Sequence, residues 1–180
     1  MKYCLLFLCC LCISSCNSTP SPKPVSETWL INSLEKIGDA TVTVEGNPQL
    51  TNSPLGKVVS FDGAGDRLLV DENPLVGATE FTIEIIFNPA AAFPKNAEPR
   101  FFHIEAADNP NRRVTIELRL NNNNQWYLDA YIKSEKSQMT LIDSTKVHPV
   151  GKWAHAAITY KNRAFISYVN GKKELEDRKS

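Results

Sequence analysis

The stretch GKWAHAAITYKNRAFISYVNG, Gly151 to Gly171, decides the fold. It reads as two strands, Trp153 to Tyr160 and Ala164 to Asn170, joined by the polar turn Lys161-Asn162-Arg163 and closed by Asn170-Gly171, a strong hairpin signal. The period of two along a strand puts Ala154, Ala156, Ile158 and Tyr160 on one face, and Trp153, His155, Ala157 and Thr159 on the other. Both faces are partly apolar, so the hairpin has to be covered by other strands. The chain upstream is therefore expected to be a multi-stranded all-β body. A partner strand downstream is expected to be missing.

Working outward, the rest of the chain fits that body. Phe81, Ile83, Ile85 and Phe87 alternate with Thr82, Glu84, Ile86 and Asn88, up to Pro89. Val114, Ile116, Leu118 and Leu120 alternate with polar residues, and the run Asn121 to Asn124 turns the chain onto Trp126, Leu128, Ala130 and Ile132. Shorter strands are expected at Thr41–Glu45, Lys57–Asp62, Arg67–Val70, Arg100–Ile104 and Met139–Ile142, with Ala106 to Arg112 as a turn. Short strands at turn-bounded intervals indicate a sandwich or barrel. One helix is expected: Trp29, Leu30, Leu34 and Ile37 have helical spacing, with Ser26 as N-cap and Gly38 as stop.

The totals bound the function. A chain of 180 residues with 42% hydrophobic residues suits one cored domain, and twenty basic against twenty acidic residues leave no net field to attract nucleic acid. All five cysteines (Cys4, Cys9, Cys10, Cys12 and Cys16) lie at the N-terminus, which excludes a disulfide framework, a thiolate metal site or a cysteine nucleophile in the body.

Met1-Lys2 followed by the apolar run Leu5 to Ile13 reads as a secretory signal, too short for a mature membrane span of about 20 residues. Its end, Ile13-Ser14-Ser15-Cys16, resembles the bacterial lipobox. That resemblance implies a signal peptide over residues 1–15, an acylated Cys16 and anchorage in a bacterial cell envelope, facing the periplasm or the surface. Residues 16–25, rich in serine and proline, read as a tether, and residues 26–180 as the domain.

Lys57-Val58-Val59-Ser60-Phe61-Asp62-Gly63, Asp66, Phe81-Thr82-Ile83-Glu84, Gly151-Lys152-Trp153 with His155 and Ala157, and Tyr168-Val169-Asn170-Gly171 occur in an order that resembles the laminin G-like, concanavalin A-like jelly-roll family. The resemblance runs from about Trp29 to the C-terminus. It implies two antiparallel sheets packed face to face, one of them concave. It also implies closing strands beyond Asn170-Gly171. With only Lys172 to Ser180 remaining, the domain is expected to lack its last strands and to be C-terminally incomplete.

An enzyme of this fold would resemble the laminarinase-type glycosidases, which align carboxylates at alternating positions of one strand. Glu84 and Glu117 each stand without a second carboxylate two residues away, so a dyad would have to be assembled across strands, such as Glu84 with Glu117 or Asp129. His103, His148 and His155 are scattered and lack metal-ligand spacing, and His155 is expected to be structural. Calcium would need loop oxygens such as Asp62, Asp66 and Asp71, and the expectation is that these aspartates serve turn hydrogen bonds, with no cofactor committed. The ligand-binding candidates are Glu117, Arg119, Tyr127, Asp129 and Tyr131, which share one strand face, together with Glu84. Tyrosine rings with bidentate polar groups suit a sugar, while a solvated sheet face uses the same residues in cross-strand pairs. The expected function is a non-catalytic envelope module that binds glycan. A structural or protein-interaction module completed by strand addition is the alternative, and a glycosidase the weaker one.

Overall fold

The structure, a computed structural model, describes residues 26–92 and 94–179. Two sheets form the body. The five-stranded sheet has the order β10 (Gln138–Ile142), β9 (Gln125–Lys133), β8 (Asn109–Leu120), β7 (Arg100–Ala106), with β11 (His148–Pro149) also pairing with β9. The four-stranded sheet has the order β14 (Lys172–Arg178), β13 (Ala164–Val169), β12 (Ala154–Lys161), β6 (Phe81–Phe87). All pairings are antiparallel.

The core between the sheets is the alternation read from the sequence. Val114, Ile116, Leu118, Leu120, Trp126, Leu128 and Ala130 of one sheet pack against Ala154, Ala156, Ile158, Phe165 and Val169 of the other. Phe81, Ile83, Ile85 and Phe87 join them from β6. Trp126 is fully buried, donates its indole N–H to the Pro149 carbonyl at 3.3 Å and stacks on His148 at 4.6 Å between centroids. A period-2 pattern with one buried face fixes the register, because a slip of one residue would turn every inward side chain to solvent. The fold class is thus an all-β, two-sheet antiparallel sandwich, consistent with a jelly roll.

The hairpin Ala154–Val169 is as expected, and its turns explain its register. Lys161 pairs with Ala164, leaving Asn162 and Arg163 as a two-residue loop with φ of 50° and 62°. Val169 pairs with Lys172 across Asn170 and Gly171, with φ of 50° and 76°. Positive φ at both central positions is the type I′ geometry that matches strand twist. The Asn170 Oδ1 accepts from the His155 N–H at 3.0 Å, and the Asn170 N–H donates to the His155 carbonyl at 2.8 Å.

Two expectations are corrected here. The strand expected to be missing after Asn170-Gly171 exists: β14 pairs with β13 along its length, with a bulge at Ser167/Tyr168. Its sequence KKELEDR hides this strand, because a charged edge strand carries little apolar alternation. The helix over Trp29 to Ile37 does not form, and no helix occurs among the described residues. Ser33 Oγ instead accepts from the N–H groups of Glu35 and Lys36 at 3.1 and 3.3 Å, and Gly38, at φ 58°, closes a hairpin of β1 (Lys36–Ile37) with β2 (Ala40–Glu45). Ile37 is buried, at 2% exposed, while Leu30 remains 66% exposed, so the apolar residues that suggested a helical stripe do not form one buried face.

β2 pairs in turn with β5 (Arg67–Val70), while β3 (Gln49–Ser53) and β4 (Gly56–Ser60) form a separate hairpin. Asp66 fastens this region by accepting from the Asn47 N–H at 2.6 Å and the Asp62 N–H at 2.9 Å. Gly46 has to be glycine, since a Cβ there would lie 2.4 Å from Asp66 Oδ1 and 2.8 Å from the Asp66 Cα.

Candidate functional site

The outer face of the five-stranded sheet collects polar side chains that the pairing register places side by side. Arg113, Thr115, Glu117 and Arg119 of β8 stand opposite Lys133, Tyr131, Asp129 and Tyr127 of β9. From the flanking strands, Thr140 of β10 stands opposite Tyr131, and Arg100 of β7 opposite Glu117.

These groups are wired together. Arg119 donates from Nε and Nη2 to Asp129 Oδ2 at 2.8 and 2.6 Å, reaches Glu117 Oε2 at 3.4 Å from Nη2, and pairs with Glu98 through Nη1. Arg100 Nε donates to Glu117 Oε1 at 2.6 Å. The Asp129 side chain is only 7% exposed, and a carboxylate that dehydrated needs a charged partner held close. Burial by itself would lower the Arg119 pKa, but its hydrogen bonds to Asp129 and Glu98 outweigh burial and raise it above the ordinary guanidinium value.

Beside this network the Tyr131 hydroxyl donates to Gln138 Oε1 at 2.9 Å, and the Arg113 guanidinium lies 5.4 Å from the Tyr131 ring centroid. A depression of about 280 Å³ opens between Arg113 and Tyr131 at one end and Arg100, Glu117, Arg119 and Asp129 at the other, with Thr115 and Thr140 between them.

Five of the six ligand-binding candidates therefore share one face. Glu117, Arg119, Asp129 and Tyr131 line the depression, and Tyr127 stands beside it, opposite Arg119. Glu84 does not join them. It lies on β6 in the other sheet, paired with His155 Nε2 at 3.0 Å, so no dyad of Glu84 with Glu117 or Asp129 forms. The lipid-attachment residue Cys16 lies outside the described residues.

Sequence reading missed Arg100, Arg113, Thr115 and Thr140. Arg113 and Thr115 were legible, since they continue the odd-numbered parity of Glu117 and Arg119. Arg100 was not, because a register shift between Arg100 and Phe102 breaks the alternation of β7.

The other candidates have local partners. His103 Nδ1 meets Thr115 Oγ1 at 3.0 Å and its Nε2 meets Glu105 at 3.1 Å, while His148 Nε2 meets Glu174 at 2.8 Å. Asp62 Oδ1 accepts the N–H groups of Ala64, Gly65 and Asp66 at 2.7, 3.1 and 3.2 Å, and these bonds hold its carboxyl below the usual carboxylate range. No cluster of three or more His, Cys, Asp or Glu suited to a metal ion occurs among the described residues.

A family model described as the concanavalin A-like lectin/glucanases superfamily, Laminin_G_3, matches residues 62–178, more than half of the chain. The chain belongs to that superfamily. The matched residues include every strand of both body sheets. The superfamily takes in lectins and glucanases alike, which fits a binding module and leaves the chemistry to be argued from the face itself. No curated protein and no solved structure matches the chain.

Proposed function

We propose that this superfamily member is a non-catalytic carbohydrate-binding module, held at a bacterial cell envelope through acylated Cys16. The observation that carries the reading is the depression on the outer face of the five-stranded sheet. There the Tyr131 ring adjoins fixed donors and acceptors on Arg100, Glu117, Arg119 and Asp129. An aromatic surface beside pre-oriented polar groups suits the apolar patches and hydroxyls of a sugar ring.

Glu117 and Asp129 are directly opposite across β8 and β9, and such neighbours have Cβ atoms about 4.5–5.5 Å apart, near the roughly 5–5.5 Å carboxyl separation of retaining glycosidases. Both carboxylates are already engaged by guanidinium groups, Glu117 by Arg100 and Asp129 by Arg119, which favours a fixed binding surface over a free acid and base.

Glycan-array screening followed by titration calorimetry tests the reading. Tyr131→Ala is expected to weaken binding at least ten-fold with an unchanged melting temperature, and Tyr127→Ala to weaken it less. Binding that survives both substitutions overturns the assignment of this face. Sugar release that depends on Glu117 overturns the non-catalytic assignment. For the anchor, Cys16→Ser is expected to release the protein from the membrane fraction.

A second reading, protein recognition by strand addition, is favoured by one feature. Among the described residues β6 pairs on one side only, with β12, and its Ile86 is 61% exposed. Capture of an envelope protein that is lost in Ile86→Lys and kept in Tyr131→Ala would select it.

A further inference from the structure

Charge on the outer face of the five-stranded sheet is unevenly matched. At the end near Glu98, the guanidinium groups of Arg100 and Arg119 are bound to Glu117, Asp129 and Glu98. At the other end Arg113 forms no ion pair with any carboxylate among the described residues. Its hydrogen bond goes to the Pro110 carbonyl at 3.2 Å, and its guanidinium rests over Tyr131. The acidic neighbour opposite it on β7, Glu105, is engaged by His103.

Directly opposite Arg113 on β9 stands Lys133, a second cation. Like charges in that position destabilise a strand pair, and a bound anion between them would remove the penalty. Lys133 also lines a neighbouring depression of about 410 Å³ at the β9–β10 turn, together with Lys136, Gln138 and Lys179. The acidic side chain there, Glu135, is taken by Arg112 and Asn109. Tyr131 of the first depression donates to Gln138 of the second.

We infer that the ligand of this face is an acidic polysaccharide, a uronate-containing glycan. A sugar ring lies against Tyr131, its carboxylate is held by Arg113 and Lys133, and the chain continues toward Lys136 and Lys179. This rests on the carbohydrate reading above and adds the sign of the ligand's charge. A guanidinium already stacked on an aromatic ring is pre-organised, so less side-chain freedom is lost when it grips a carboxylate. The opposite end, with its cations already neutralised, meets the hydroxyls of the following residues. Roughly 20 Å of extended strand separates Arg113 from Arg119, room for several sugar rings.

The test is calorimetric titration of the full chain with three oligosaccharide sets: polygalacturonate and alginate oligomers, the same oligomers with their carboxyls reduced to alcohols, and neutral β-glucan oligomers. The uronates are expected to bind at least ten-fold more tightly than their reduced forms. Arg113→Gln is expected to abolish that preference and Lys133→Gln to reduce it several-fold. Tyr131→Ala is expected to weaken both forms, and Lys57→Gln, on β4, to change nothing. Equal binding of uronate and reduced oligomers overturns the inference and leaves the carbohydrate reading standing. So does an Arg113→Gln loss no larger than that of Lys57→Gln, which would mean charge attraction without a site. Absence of binding to every set overturns both.

Discussion

The sandwich has two outer faces built from the same period-2 pattern, and they differ in how their polar groups are held. On the five-stranded sheet, Arg100, Glu117, Arg119 and Asp129 form a continuous chain of contacts across three strands, and the Glu117 and Asp129 side chains are 14% and 7% exposed. On the four-stranded sheet, the polar contacts are small, separate groups: Glu84 with His155, Lys161 with Glu80, and Glu176 with both Lys173 and Arg178. The Glu84 side chain is 62% exposed there, and threonine, alanine and isoleucine fill the positions between. Exposed pairs of this kind contribute little, about 0–1 kcal/mol, while a dehydrated, shared network locks side chains in place. Sharing a sandwich therefore does not make the faces equivalent. Only one of them has the fixed geometry that recognition of a ligand requires.

The largest expected effect contrasts the two faces directly. Arg119→Ala leaves Asp129 as a nearly buried carboxylate without its cation. Breaking a fully buried pair costs roughly 3–5 kcal/mol, and partial exposure of Arg119 reduces this to about 2–3 kcal/mol. Glu84→Ala on the other face is expected to cost less than about 1 kcal/mol. Guanidinium unfolding of the two variants checks this. Equal losses would mean that the faces do not differ in the way described.

A gain of about 1 kcal/mol is expected beneath the plainer sheet. Ser167 of β13 is 1% exposed, and its hydroxyl has no hydrogen-bond partner among the described residues. Ser167→Ala keeps the Cβ and removes the unpaired polar atom, so it should raise the unfolding free energy by roughly that amount. A loss of stability on urea unfolding would show that the hydroxyl has an unrecognised role, and that the four-stranded sheet also carries a functional polar group.

These contrasts bear on what could be read from the chain. The core was legible, because Phe81 to Phe87, Val114 to Leu120 and Trp126 to Ile132 each carry an unbroken apolar residue at every second position. The grouping of Glu117, Arg119, Tyr127, Asp129 and Tyr131 was legible too, since one Asn-rich turn sets the register of β8 against β9. Glu84 was misgrouped because parity tells which side of its own strand a residue occupies, never which sheet the strand joins. β14 was missed because its edge position tolerates charge on both sides, and the N-terminal helix was wrongly expected because apolar spacing does not show that the residues share one buried face: Ile37 is buried on a strand and Leu30 is exposed. Arg100 depended on a bulge, which leaves no periodic trace.

The smallest expected effect is a pH dependence confined to the four-stranded sheet. Glu176 lies on β14 opposite Ile166, and its bonds to Lys173 and Arg178 hold its carboxyl below the ordinary value of 4.5. A carboxyl whose folded pKa is depressed adds stability above its unfolded pKa, and that contribution is lost as pH falls through the folded value. Wild type and Glu176→Gln should therefore differ slightly in thermal stability at neutral pH, with wild type higher. The difference should shrink below about pH 4.5 and vanish once both states are protonated. Because the group keeps contact with solvent, salt should erase most of the same difference at neutral pH. A difference that survived high salt or persisted in strong acid would place Glu176 in a dehydrated network like that of Asp129, and the two faces would then differ in composition alone.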